Sequence, residues 1–446
     1  MVELTHGFKI DPAKCDGRMH CMRACPTRAI RVKKGKARVI PELCIDCGIC
    51  LGVCPTGAIS ATTLPFAALD KFKFKVVVAS PALFAQFGPN VSPAQVGQAL
   101  LDIGFDAVWE YAVDIELIDR AISDAVKSWP GPFPLISNSC PVVVRLIQVA
   151  YPAMVEQLIS VDAPREIAAR ELKRRFAKEK NLKPEEIAAV YITPCQAKTI
   201  SIIQPAEGVR SHLDGAVAIK EIYNDLLYRI RHNVTKPQHQ EEFYGIGELF
   251  HGGSPEGEFP NLSREHYLPL TGLTDVIKVC DDIEKGKLRH IEFLECHSCQ
   301  GGCIGGNLTV ENPYVARGRN LRLKSSLPKP TPEFEREIER RYASEDFSLR
   351  ETIAPRRIEG ESLDLRERVA RKKRADELMR GLPGVNCGLC GAPSCRHHAE
   401  DVAAGRSEVG DCVFLSRDRI ESLRKIYGQR KDPGDRPLGA DPSEMS

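Results

Sequence analysis

Four short apolar runs punctuate the middle of the chain: Lys75–Ala79 (KVVVA), Leu135–Ile136, Ala188–Thr193 (AAVYIT) and Ile291–Glu295 (IEFLE). Runs of this length predict strands. Segments such as PAQVGQALLDIG and VAIKEIYNDLLYRI intervene with the apolar spacing of amphipathic helices. Strands alternating with helices predict an α/β architecture built on mostly parallel sheets. Each run ends in a special turn, namely Ser80-Pro81, Asn138-Ser139-Cys140-Pro141, Pro194-Cys195 and Cys299-Gln300-Gly301-Gly302-Cys303. Ligands bind outside the carboxyl ends of parallel strands, so the four turns are expected to meet at one crevice. In LISNSCPVVVRLIQ, Cys140 stands where a helix begins, and Pro141 suits the first helical position.

Outside this region the pattern changes. IRVKKGKARVI reads as a short hairpin around Lys34-Gly35-Lys36. The cysteine-free stretch from Leu327 to Arg380, opened by PKPTPEF and dense in charge, predicts a proline-marked connector followed by exposed helices. Its most basic patch, Arg371 to Arg374, is flanked by Glu367, Asp376 and Glu377 and reads as a solvated helix face. The connector is expected to position the C-terminal cysteines against the body or a partner.

At 446 residues the chain is long enough for about three domains of roughly 150 residues. Its net charge of +2, from 62 basic and 60 acidic residues intermixed, creates no field that would draw in nucleic acid or a membrane surface. No stretch approaches the roughly 20 apolar residues of a membrane span. The N-terminal MVELTHGFKI lacks the basic-then-apolar start of a signal peptide. The expectation is a soluble, cytoplasmic protein.

The cysteines then reshape the picture. There are 17, an odd number, and a reducing compartment excludes a disulfide framework. Cys44-x2-Cys47-x2-Cys50-x3-Cys54-Pro55 is the bacterial ferredoxin run, in which three close thiolates grip one cubane and the fourth reaches a second cluster. Upstream, Cys15, Cys21 and Cys25-Pro26 repeat the pattern with Arg18 where another ligand is expected. One regular 4Fe-4S cluster is therefore expected on Cys25, Cys44, Cys47 and Cys50. A second, on Cys15, Cys21 and Cys54, is expected with altered ligation, as a three-iron cluster or a cubane completed by His20 or Asp16; an absent cluster is the remaining alternative. The shared turn context of Cys140, Cys195, Cys299 and Cys303 suggests a further iron-sulfur site. Cys280 and Cys296 read as plain buried thiols.

Cys387, Cys390, Cys395 and Cys412 again offer four thiolates around glycine turns, for which zinc is the alternative occupant. The segment GVNCGLCGAPSCRHHAEDVAAGRSEVGDC resembles the small 4Fe-4S domain of electron-transfer proteins such as the Rnf-type ferredoxin subunits and the corrinoid iron-sulfur proteins. His397 and His398 within it read as surface residues.

The three middle cysteine turns resemble the signature segments of FeFe hydrogenases: Cys140-Pro141, Pro194-Cys195-Gln196-Ala197-Lys198 and Cys299-Gln300-Gly301-Gly302-Cys303-Ile304-Gly305-Gly306 stand in the family order. The resemblance runs roughly over residues 72–312. It implies that Cys140, Cys195, Cys299 and Cys303 bind the cubane of an H-cluster, with Cys303 bridging to a two-iron subsite. It also implies that Lys198 donates to a cyanide of that subsite and that Pro81 lines it. Gly301 and Gly302 would let the backbone pass close to the metals. The positive end of the helix after Cys140 favours an anionic cluster.

Departures from the family pattern bear on function. Productive members carry a proton-passing cysteine where this chain has Ser139, whose hydroxyl has too high a pKa to relay well near neutrality. Methionines expected at two pocket positions are Thr193 and His297, which make the pocket more polar; His297 could donate to the cluster or its ligands. For the family's acidic proton path, IELIDRAI offers Glu116 and Asp119 in a shifted arrangement, which leaves the path open. These features resemble the proposed sensory branches of the family.

The expected organisation is thus a two-cluster ferredoxin-like domain (1–65), an α/β H-cluster domain (72–325), a charged helical connector (326–380), a small α-helical 4Fe-4S domain (381–428) and a disordered tail (429–446). The expected function is slow interconversion of H2 with protons and electrons in hydrogen or redox sensing or electron relay, with ferredoxin or another redox protein as electron partner and signalling or electron-transfer subunits as further partners. Two alternatives stand beside it. One is a fully active hydrogenase whose relay is rebuilt around Ser139 and His297. The other is a cubane-only electron-transfer or scaffold protein, as in the hydrogenase-like assembly factors.

Overall fold

Residues 4–232, 265–326, 331–356 and 364–415 are described by the computed structural model. The tail expected to be disordered lies outside the described residues. In chain order the strands are β1 (Phe8–Ile10), β2 (Ile30–Lys33), β3 (Lys36–Val39), β4 (Ile59–Ala61), β5 (Phe74–Ala79), β6 (Ala107–Val108), β7 (Leu135–Ile136), β8 (Ile187–Thr193), β9 (Gly215–Ala218), β10 (Tyr267–Thr271) and β11 (Phe293–His297).

The chain divides into two units. The first comprises the described residues within 4–15, 24–29 and 39–356. Its main sheet has the order β6-β5-β8-β9, and a smaller one the order β10-β11-β7. Every pairing given within these two sheets is parallel, with Phe74 to Ala79 lying opposite Ile187 to Ile192 and Tyr267 to Thr271 opposite Phe293 to His297. The mostly parallel α/β architecture read from the apolar runs is therefore present. Val76, Val77 and Val78 of β5 and Ile187 to Val190 of β8 are wholly buried, because helices cover both faces of the sheet. In this unit β1 and β4 pair antiparallel, bringing the two ends of the ferredoxin-like segment together.

Two boundaries differ from the sequence pattern. The last strand is Phe293–His297 rather than Ile291–Glu295, because Ile291 closes a turn onto the Leu288 carbonyl at 3.0 Å and only from Phe293 does the chain align with β10. The segment VAIKEIYNDLLYRI begins as strand: Val217 and Ala218 pair with Ile192 and Thr193, and the helix starts at Ile219. The connector also differs. Helix Pro332–Tyr342 is not wholly exposed but buries Phe334, Ile338 and Arg341. Two apolar residues four apart among charges were enough to dock it, and Arg341 pairs with the buried Asp114 at 2.9 Å and with Glu345 at 2.6 Å.

The second unit comprises, among the described residues, 16–23, 30–38 and 364–415. The two-stranded sheet β2-β3 packs there against the C-terminal cysteine segment. Val32 N donates to the Gly391 carbonyl at 2.9 Å, and a Cβ on Gly391 would stand 2.1 Å from the Val32 oxygen, so only glycine permits this approach. Arg31 forms a buried pair with Asp401, its second nitrogen at 3.2 Å. Lys33 Nζ reaches Ser407 Oγ at 2.8 Å and Asp411 Oδ2 at 3.1 Å. His398, read as a surface residue, is instead buried, since the inner face of helix Cys395–Ala403 turns it inward beside Ala399 and Asp401. Burial lowers its pKa.

Candidate functional site

The carboxyl ends of four strands converge, as the turns predicted, although the strands belong to two sheets: β5 and β8 to one, β7 and β11 to the other. Between them lies a cavity of about 100 Å³ lined by, among others, Pro81, Ser139, Arg165, Lys198, His297 and Cys303. Cys140 caps helix Pro141–Ala150 with Pro141 at the first helical position, and Cys195 caps helix Gln196–Ile203. Cys299 and Cys303 are joined through Gly301 and Gly302, at φ 74° and 77°, a conformation that glycine adopts readily. The close approach is made by another glycine that the motif also contains. A Cβ on Gly306 would lie 2.3 Å from the carbonyl oxygen of Pro194, so this residue brings the Cys303 turn against the Cys195 turn.

The electrostatics single out two of the four thiols. Burial pushes Cys303 upward, but the Lys198 charge and His297 outweigh it and leave the thiol at about 6. Cys140 follows the same logic: burial raises it, while a hydrogen bond and charge from His297 lower it to about 7. Burial pushes Cys195 up to about 11 and Cys299 well above its usual value. The charges of Cys140, Cys195 and Cys303 all act on Cys299, which places the four thiols in one electrostatic neighbourhood.

Lys198 Nζ donates to Cys303 Sγ at 3.2 Å from a buried position. Ser139 Oγ lies 2.7 Å from Ser137 Oγ, a partner the sequence reading missed. Thr193 turns its hydroxyl to the Cys195 carbonyl at 2.8 Å. His297 is buried, its Nε2 2.9 Å from Glu295 Oε1, and Glu295 in turn accepts from the Tyr267 hydroxyl. Burial opposes charge on His297, but the facing thiols and Glu295 raise its pKa well above the ordinary value. Its Nδ1 nevertheless has no hydrogen bond of regular geometry. Of the two shifted acids, Asp119 reaches the cavity wall, whereas Glu116 pairs with Arg120 at 3.3 Å. Cys280 and Cys296 sit in the apolar core.

A second feature lies beyond motif reading. The Cys44–Gly48 loop is gripped by residues that follow the middle cysteines. Gln196 Nε2 donates to the Asp46 carbonyl at 2.6 Å, and Asn307 Nδ2 to the Cys47 carbonyl at 2.8 Å. Arg145, on the helix that Cys140 caps, pairs with the wholly buried carboxylate of Asp46, which also accepts from Gly7 N at 2.9 Å. His6 and Cys44 complete a group whose ligand atoms all lie within 4.8 Å of one another, yet Asp46 is already committed to Arg145 and Gly7. Gly48 has φ +75°, and its Cβ would stand 2.1 Å from Asn307 Nδ2, so the clamp requires glycine there.

The middle site suits an anionic iron-sulfur group: two thiols are biased toward thiolate, a buried ammonium faces one of them, His297 acts on both, and the buried Nε of Arg165 lacks a hydrogen-bond partner. In the second unit, Cys387, Cys390 and Cys395 surround the glycine turns at Gly388 and Gly391, with φ 81° and 84°, and Cys412 is buried. Changing Cys390 and Cys412 together to serine is expected to remove about four irons per chain, the cubane content for four thiolates, with matching loss of sulfide. Stoichiometric zinc in the parent protein and no change in iron would refute that expectation.

A family model described as the iron only hydrogenase large subunit, C-terminal domain, matches residues 73–245. It spans Pro81, Cys140, Cys195 and Lys198 but stops short of the Cys299–Cys303 turn. A 4Fe-4S dicluster domain matches residues 11–58, and a domain described as a putative Fe-S cluster matches residues 382–414. The chain is a homologue of FeFe hydrogenase large subunits. This hydrogenase-like chain is similar to the periplasmic Fe hydrogenase large subunit of Nitratidesulfovibrio vulgaris, 26% identical over 392 residues, covering 73% of this chain and 92% of that one. It is also similar to the NADP-reducing hydrogenase subunit HndD of Solidesulfovibrio fructosivorans, 24% identical over 197 residues, 40% of this chain and about a third (34%) of that protein's length. A structure of the FeFe hydrogenase HydA1 from Chlamydomonas reinhardtii shares the fold, with a TM-score of 0.51 at 16% identity over 65% of this chain and 98% of that one. The chain is thus an FeFe-hydrogenase-like iron-sulfur protein. No helix among the described residues is long and apolar enough to cross a membrane.

Proposed function

We propose that this chain interconverts H2 with protons and electrons slowly, and that it serves in hydrogen or redox sensing or electron relay rather than in bulk hydrogen production. The observation that carries the reading is the Lys198–Cys303 contact of 3.2 Å on the wall of a cavity whose neighbouring turn presents Ser139 in place of a thiol. Cys140, Cys195, Cys299 and Cys303 would hold a cubane, and Cys303 would also face a di-iron subsite in the cavity. When bound, such a subsite supplies the heterolytic chemistry of dihydrogen.

The chain's own residues then act as follows. Lys198 orients and neutralises negative charge at Cys303. The Pro81 turn and Ile304 close the cavity wall against water. Ser139, hydrogen-bonded to Ser137, can position a proton but gives it up reluctantly, because a hydroxyl has little acidity near neutrality. Electrons arrive through the Cys44–Cys50 segment, whose loop is hydrogen-bonded by Gln196 directly beside Cys195. The electron partner is proposed to be ferredoxin or another redox protein, with signalling or electron-transfer subunits as further partners. The N-terminal site is proposed to hold one regular cubane and one cluster altered at Arg18, and the C-terminal site a further cubane.

One observation favours a faster enzyme as the second reading. His297, Glu295 and Tyr267 form a buried hydrogen-bonded chain leading away from the thiols, a route a rebuilt proton relay could follow.

Infrared spectroscopy on protein produced with the maturation machinery tests the proposal. Cyanide and carbon monoxide bands are expected together with hydrogen turnover well below that of productive family members. Their absence from iron-replete, matured protein would leave the cubane-only reading, and turnover matching the productive enzymes would leave the second.

A further inference from the structure

Arg165 is the second residue of helix Pro164–Lys180 and is 8% exposed. Its Nη2 donates to Ser201 Oγ at 3.2 Å, and its Nε is buried without a hydrogen-bond partner. No described carboxylate forms an ion pair with it. The adjacent Glu166 directs its oxygens to Ser211 Oγ at 2.8 and 2.9 Å and to the backbone nitrogen of His212 at 2.9 Å. Asp162 accepts from the Ala163 nitrogen at 2.8 Å. Burial opposes the charge, but Glu166 and Glu207, with Tyr191 and Tyr111, favour the charged guanidinium without forming a close ion pair with it, and the buried Nε is left as a donor that an anion in the cavity could meet.

The position of Arg165 says what that is. It lines the same cavity as Lys198, with a smaller hollow on its other side. Lys198 is engaged with Cys303, and Arg165 adds a second buried cation to this wall, with its Nε unpartnered. Asp162, on the same wall, feels the Arg165 charge, while its carboxylate accepts from the Ala163 nitrogen. Ser201 fixes the orientation of the guanidinium from behind, and an arginine keeps its charge at every working pH.

We propose that Arg165 is a second anion-binding donor of the cavity, which together with Lys198 holds cyanide-class ligands of a di-iron group. The inference rests on the di-iron reading above and goes beyond it, by naming a further residue of the same cavity wall that would meet the group. The sequence reading passed it over because PREIAARELKRRF looks like the start of a charged surface helix, and only burial distinguishes this arginine from those that follow.

The test uses matured full-length protein and compares infrared spectra of the parent, Arg165→Met and Arg165→Lys at equal cubane iron content. The expected result in Arg165→Met is a cyanide band displaced by more than its linewidth, with carbon monoxide bands moved less, or loss of all the bands; Arg165→Lys returns them toward the parent. A role in folding alone would not move a cyanide band selectively. If the parent shows the bands and Arg165→Met superimposes on it, the proposal is overturned while the di-iron reading stands. It is overturned equally if Met and Lys variants both lose the bands, since a retained cation then fails to rescue. If the parent itself shows none, the di-iron reading fails and takes this inference with it.

Discussion

Ser139→Cys is expected to raise hydrogen evolution about a hundredfold, the lower end of what a correctly placed acid–base group contributes. The parent side chain lies 2.7 Å from Ser137 on the cavity wall, so the geometry for handing over a proton exists, and what is missing is acidity. A thiol has an ordinary pKa of about 8.5 and can both give and take a proton near neutral pH. The substituted atom is not one of the candidate ligands, so cluster content is expected to stay constant. The measurement is turnover per di-iron site against pH, with iron and infrared band intensity as controls. If the fully loaded variant is no faster than the parent, proton delivery at Ser139 is not limiting, and the route through His297, Glu295 and Tyr267 becomes the place to look.

Arg145→Met is expected to lower the apparent unfolding free energy by about 3–5 kcal/mol, because it leaves a buried carboxylate without its counter-ion. The Asp46 side chain is 0% and that of Arg145 4% exposed, so water cannot replace the lost partner. Burial works to raise the Asp46 pKa, but His6, Arg145 and the Gly7 amide outweigh it and hold the carboxyl below its usual value. A depressed carboxylate contributes stability that is present above its unfolded pKa and lost as pH falls through the folded one. The gap between parent and variant is therefore expected to be full at neutral pH and to narrow below about pH 4. Denaturant titration at pH 7 and at low pH checks both statements, and a neutral-pH difference under about 1 kcal/mol would show that His6 and Gly7 suffice, since truncating one partner of a buried pair otherwise costs several times more. Because Arg145 follows Cys140 in space and Asp46 lies between two candidate ligands of the neighbouring cluster, the same variant is expected to loosen the contact through which electrons would pass.

How far the sequence reaches is seen by comparing residues that carried a signal with residues that did not. The cysteine spacings and the glycine pair before Cys303 were legible because each is a local requirement: candidate ligands must be close in the chain or stand at turns, and turns need particular backbone conformations, whereas Lys198 stood out only through the resemblance to FeFe hydrogenases. The apolar runs were legible because parallel strands covered by helices leave no room for polar alternation. Exact ends were less so. Val217 and Ala218 belong to β9, since neighbouring strand Ile187–Thr193 offers them hydrogen bonds that no local pattern announces.

Tertiary structure alone decided which long-range polar groups meet. Arg31 and Asp401, 370 residues apart, are each unremarkable in the sequence, yet their buried pairing assigns β2 and β3 to the unit of the C-terminal cysteines. His398 and Arg341 look like surface residues by composition and become interior because a helix can bury a single stripe of an otherwise charged surface. Arg165, Arg145 and Gln196 likewise acquire their roles from what lies opposite them in space. The chain's own order thus determined the thiol sites, the strand–helix alternation and the family to which they are homologous. Folding decided the polar partners around those sites, because burial and the need to pair every charge act between segments that the sequence keeps far apart.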